Sequence, residues 1–120
     1  MGKFSRDKGK RTELKGVHAF WDAGFNTARR TQQYCGTEGT SDITCDELPD
    51  LHIEVKGVER LNAEEAMCQA ERDSEPEKIE VVISYKNGKK PMVFVRLENF
   101  LEILRRSDLP VSVSVDENDD

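Results

Sequence analysis

The segment Leu51-His52-Ile53-Glu54-Val55-Lys56 alternates apolar and polar residues without a break. Successive side chains of a strand point to opposite faces, so this run is a strand with Leu51, Ile53 and Val55 on one face. His52, Glu54 and Lys56 lie on the other. A chain built around such a strand needs a layer of structure to cover the apolar face. It also holds a carboxylate and an ammonium as neighbours on the opposite face.

The surrounding sequence supplies the other elements. Lys8 to Gly24 reads as a helix, with Leu14, Val17, Trp21 and Phe25 at helical spacing, Phe20 beside them and Gly24 as a C-terminal stop. Trp21 is expected in the core and His18 on the surface. Asn26 to Thr31 reads as a short strand carrying Arg29 and Arg30 outward. Gln32 to Ser41 is a Gly/Thr/Ser-rich loop, Asp42 to Cys45 a second short strand, and Leu48-Pro49-Asp50 a turn. Asn62 caps a helix that runs to about Asp73 with Ala63, Ala66, Met67 and Ala70 on its apolar side. Ser74 to Glu77 breaks that helix. Ile79 to Tyr85 and Met92 to Leu97 are β-rich runs joined through Asn87-Gly88, a hairpin signal. Leu97 to Arg106 is a last helix with Phe100, Leu101 and Leu104 on its core side. Val111 to Val115 is open between an edge strand and a loose tail. The order is αβββαββα, a mixed α/β fold with helices against a central sheet. Residues 1–106 read as one domain and 107–120 as a C-terminal segment with an acidic, disordered tail.

At 120 residues the chain fits a single domain, and 35% charged residues put a small core under a polar surface. No apolar run reaches the length of a membrane span, and no apolar stretch follows the basic start as in a secretory signal. The three cysteines, Cys35, Cys45 and Cys68, are odd in number and form no CxxC pair, which points to a reduced, cytoplasmic setting and away from structural zinc. That cytoplasm is a prokaryotic cell's, or the host cell's for a viral chain. The net charge of −6 hides a segregation: residues 1–30 hold eight basic and three acidic residues, +5, which leaves −11 for the rest. A basic front suits phosphates, although a solvated helix face produces the same pattern.

Chemistry enters through pairing. If the Asp42 strand lies beside the Glu54 strand, the two carboxylates converge on one face. Mg²⁺ is held by one or two carboxylates together with waters and phosphate oxygens. Such an ion supports phosphodiester hydrolysis by polarising the phosphoryl group and activating water, and a neighbouring lysine stabilises the charge that develops. Alone, Glu-x-Lys is more often a solvent-facing charge pair. Its company, Asp42 after a Gly/Thr/Ser loop and Glu13 on the first helix, raises its weight. His52 shares the face of Glu54 but suits Mg²⁺ poorly as a ligand, and is expected at the edge of the groove.

Asp42, Glu54 and Lys56 match the PD-(D/E)xK nuclease pattern, with Ser41-Asp42 where the name has Pro-Asp. More narrowly, the chain resembles a Holliday junction resolvase of phage or archaeal type. Ser5 to Glu13, Ala28 to Gln32, Ser41-Asp42-Ile43, His52 to Lys56, Glu65-Ala66 and Gln69 to Asp73 carry the resemblance, which spans about Ser5 to Leu104. Ser41, the acidic Asp46-Glu47 and the C-terminal tail depart from it. The resemblance implies a restriction-endonuclease-like fold and a Mg²⁺-dependent endonuclease, with Mn²⁺ as a substitute, acting on branched DNA as a homodimer. It implies Asp42, Glu54 and the Val55 carbonyl as metal ligands and Glu13 near the metal, directly or through water. Lys56 would act on the attacking water or the transition state, with Gln69 beside it.

DNA contacts are expected from the basic front, Lys3, Arg6, Lys8, Lys10, Arg11, Arg29 and Arg30, which neutralise phosphates without reading bases. Tyr34 is open as a base-stacking residue, and the Gly36–Ser41 loop as a segment that moves on substrate binding. No zinc finger, helix-turn-helix or Gly-rich nucleotide loop occurs, so recognition by shape is expected. Two alternatives stay open: another nuclease on the same fold, nicking, repair or restriction-like, and a non-catalytic DNA-binding or assembly protein.

Overall fold

A computed structural model describes residues 3–31 and 41–112, with side chains from residue 7 onward. The elements are α1 (Lys3–Asp22), β1 (Arg29–Arg30), β2 (Ile43–Thr44), β3 (Leu51–Lys56), α2 (Ala63–Asp73), β4 (Ile79–Ser84), β5 (Met92–Phe94) and α3 (Leu97–Arg106). Their order is the αβββαββα expected. The expectations for Tyr34, the Gly36–Ser41 loop and residues 113–120 lie outside the described residues, as do the side chains of Lys3 and Arg6. Val111 and Ser112 are in no strand. No helix among the described residues is long and apolar enough to cross a membrane.

The five strands form one sheet in sequence order. β3 and β4 pair in parallel, from Leu51 opposite Ile79 to Lys56 opposite Ser84, with α2 as the crossover between them. The other neighbours are antiparallel. Parallel strands flanked on both sides and covered on both faces are buried throughout. β3 and β4 behave in this way: from His52 to Val55 every residue is buried, and in β4 only Glu80 is not.

The two faces have separate cores. Ile53, Val55, Val81 and Ile83 meet Val17 of α1 and Ile43 of β2 on one face. Val82 meets Ala66, Met67 and Ala70 of α2 on the other. α1 comes close because Gly16 has no side chain there: a Cβ would stand 2.8 Å from Ile43 Cδ1. α1 ends in a Schellman arrangement, with Gly24 at φ 102°, Gly24 N–H donating to the Trp21 carbonyl and Phe25 N–H to the Phe20 carbonyl. Phe20 and Phe25 meet edge to face at 6.1 Å across that end.

Two packing expectations are overturned. Trp21 is not in the core. It is 46% exposed, and its indole N–H donates to the Ala28 carbonyl at 2.8 Å, tying the end of α1 to the entry of β1. The strip of α1 that reaches the sheet is narrow, through Thr12, Gly16, Val17 and Phe20, so Leu14 is exposed as well. On α3, Phe100, Leu101 and Leu104 are exposed, and no residue of that helix is buried. Only Ile103 of this helix packs against the first core, because α3 follows the edge strand β5 and nothing among the described residues covers its outer side.

Candidate active site

The polar face of β3 lies on the side of the sheet that α2 packs against through Val82, and His52 and Glu54 are buried on it. Register brings Asp42 to them. Ile43 stands opposite Ile53 in an antiparallel pair, so Asp42 stands opposite Glu54. The Asp42 N–H donates to the Ile53 carbonyl at 2.9 Å, and the Asp42 Oδ2 accepts from the Val55 N–H at 2.8 Å. The N–H and C=O of one strand residue leave on the same side. The Val55 carbonyl therefore faces Asp42 as well.

Glu54 is buried, and its Oε2 lies 2.7 Å from Nε2 of His52, which is buried too. The expectation of His52 at a groove edge is thus corrected. Residues i and i+2 share a face, and both side chains are buried there. The shared face was legible from the alternation. The bond was not, because a solvated histidine would have had no need of it.

Lys56 ends β3 half-buried, and its Nζ donates to Gln69 Oε1 at 2.8 Å. Gln69 projects toward the sheet because it belongs to the turn of α2 that buries Ala66, Met67 and Ala70. Asn62 starts that helix by accepting the Glu65 N–H at 3.0 Å. Glu13 sits mid-helix on α1, not in a first turn, with its Oε1 2.8 Å from Arg30 Nε.

The electrostatics are those of acids held together against their charge. Burial, with the nearby Glu54 and Glu13 carboxylates, pushes the Asp42 carboxyl up to about 7, against the lowering effect of the Val55 N–H. Among the described residues no three of His, Cys, Asp and Glu form a ready metal cage. Mg²⁺ does not need one, since it takes one or two carboxylates and keeps its waters. Two enclosed carboxylates with a backbone carbonyl beside them are a hard-oxygen donor set of that type, and a cation would relieve their repulsion.

Beside Lys56 and Gln69 opens a cleft of about 620 Å³ that is also lined by Arg60 and Arg72. Arg60 had no sequence signal to separate it from an ordinary solvated charge, and Arg72 entered only within the Gln69 to Asp73 stretch, with no role assigned to it. Of the cations expected to meet DNA, Arg29 and Arg30 are already engaged, with Asp46 at 3.1 Å and Glu13 at 2.8 Å. Lys8, Lys10 and Arg11 are exposed on α1.

No family model matches the chain, and no curated protein matches it. Among solved structures it is similar to Hjc from Archaeoglobus fulgidus, a Holliday junction resolvase from an archaeal hyperthermophile, with a TM-score of 0.52. The likeness covers 83% of each chain at 21% identity. The fold is that of the resolvase. At this identity the likeness speaks for architecture: a mixed sheet with its helices, the layout read from the sequence.

Proposed function

We propose that the protein is a metal-dependent, structure-specific endonuclease that hydrolyses phosphodiester bonds in branched DNA, as a Holliday junction resolvase does. What supports this reading is Asp42 opposite Glu54, with Lys56 two residues on along the same face of β3, on a chain with a resolvase's fold. Two carboxylates brought together on one face argue against a mere binding or assembly module.

Asp42, Glu54 and the Val55 carbonyl would hold Mg²⁺, or Mn²⁺ in its place, with Glu13 contributing through water. When bound, the cation supplies polarisation of the phosphoryl group and lowers the pKa of a bound water. Lys56 orients the attacking water and stabilises the charge on the phosphoryl oxygens. Gln69 holds the ammonium in place for that task. His52 holds the Glu54 carboxylate in the orientation that meets the cation.

A second copy of the chain completes the enzyme. Four-way junctions need two symmetric cuts, and two-fold pairing is the commonest oligomer. α3 supplies the surface, with Leu97, Phe100 and Leu101 each 45% exposed or more.

The test is one assay with a synthetic four-way junction, a flap and a linear duplex, each with and without Mg²⁺. Metal-dependent cleavage preferring the junction is expected, and its loss in Glu54→Ala and Asp42→Ala. Cleavage that survives both substitutions sinks the assigned site. Junction binding without cleavage in either Mg²⁺ or Mn²⁺ favours the binding module, and equal cleavage of linear duplex favours another nuclease.

A further inference from the structure

A second cleft, of about 640 Å³, lies on the other side of the end of β3. Its walls are α1 and the turn between β4 and β5, and Gly57, the residue after Lys56, lines it. Lys8, Arg11 and Lys15 come from the helix, and Lys86 and Lys89 from the turn. Among the described residues none of these five cations forms an ion pair, whereas Arg29, Arg30, Arg96, Arg105 and Arg106 each have a carboxylate partner. One acid lines the cleft, Glu59, and its Oε2 accepts the Asn87 N–H at 2.9 Å, so it braces the turn.

A chain of net charge −6 that sets five exposed cations against a single acid around one space sustains a local excess of positive charge there. The arrangement pays off when an external polyanion fills the space. The cations are spread over two elements, α1 and the β4–β5 turn, which matches several backbone phosphates better than a single anion. Both α1 and the β4–β5 turn border the residue following the candidate catalytic lysine. The cleft and the candidate site thus adjoin consecutive residues at the end of β3.

We propose that this cleft is a phosphate-backbone groove that holds a duplex arm of the substrate next to the scissile position, with Lys15, Lys86 and Lys89 as contacts beyond the basic front of α1. The proposal rests on the DNA-nuclease reading but fails separately from it. The groove reads no bases: its cations fix the position of the arm, and the strand at Lys56 is set by that position.

The experiment measures binding of a fluorescent four-way junction by anisotropy in Ca²⁺ over a range of salt, for the wild type, Lys86→Ala/Lys89→Ala, and Lys78→Ala as an off-groove control. Each lost phosphate contact lowers the slope of log K against log salt by about 0.9, so the double variant is expected to be shallower by about 1.8. Its affinity near 0.1 M salt should fall roughly tenfold to hundredfold, with the control unchanged. Both lysines are exposed turn residues, and thermal melting verifies that the variant is folded. An unchanged slope with an active wild type overturns the groove and leaves the nuclease standing. A reduced slope with a wild type that never cleaves in Mg²⁺ upholds the groove and overturns the nuclease. A wild type that does not bind the junction overturns the groove.

Discussion

α2 and α3 are close in length and both amphipathic, yet they ended in opposite situations. α2 buries Ala66, Met67 and Ala70 against Val82 and lowers Gln69 onto Lys56. α3 has the sharper separation of apolar and polar residues and buries none of them. The difference lies in position along the sheet. α2 crosses between two parallel inner strands and has a face to cover, whereas α3 leaves an edge strand and has little. An apolar stripe states that a helix must be covered, and the topology states by what. On one side of the molecule the chain encloses polar chemistry. On the other, the apolar residues of α3 stand exposed among the described residues.

The largest effect expected from breaking the enclosed side is chemical. Glu54→Ala or Asp42→Ala should lower the rate of junction cleavage by about 10³-fold or more while binding persists, measured by single-turnover cleavage and anisotropy. Next comes the packing that places Gln69. Met67→Ala should cost about 2–5 kcal/mol in urea unfolding, and a cost below about 1 would mean that α2 is not anchored as described.

Removing the support of Glu54 is a smaller step. His52→Ala should weaken Mg²⁺ binding roughly tenfold to hundredfold, read as a smaller metal-induced rise in melting temperature, and His52→Gln should recover part of it. No recovery, with an unchanged response to metal, would dismiss His52 as mere filling.

Asp42 makes a pH test. Its folded carboxyl stands near 7 and its unfolded value near 3.8, so between these the folded state binds more protons. The contribution of this group therefore favours folding at low pH and is lost as pH rises from about 4 to 7. Asp42→Asn should stabilise the metal-free protein at pH 8 by about 1–2 kcal/mol or more, and the gain should shrink toward pH 5. A gain that grows on acidification would overturn the burial of this carboxylate. The smallest effect belongs to the open side. Leu101→Ala should change the stability of the isolated chain by no more than about 0.5 kcal/mol. Leu101→Glu should convert a dimer to monomers in sedimentation, and a dimer that survives it would move the interface elsewhere.

Much of the layout was legible because it depends on local periodicity. The alternation at Leu51–Lys56, the Asn62 cap, the Asn87-Gly88 turn and the Gly24 stop are each read within a few residues, and each stands in the structure. Local pattern also put Glu54 and Lys56 on one face and named Asp42 as their partner. It misjudged Trp21, Phe100, Leu101 and Leu104, since a helical stripe shows hydrophobicity without showing what lies opposite.

What the sequence determined by itself was the set of elements and the side of β3 on which the charges stand, because backbone geometry alone dictates both. Only the tertiary structure decided that this side is closed by α2 and not washed by solvent. Packing across the sheet set Gln69 on Lys56 and pushed the Asp42 carboxyl up to about 7, and the place of α3 beyond an edge strand left it exposed. The physical reason is that desolvation, and bonds such as Gln69 to Lys56 and Val55 to Asp42, arise from elements distant in the chain, which no window of neighbouring residues contains.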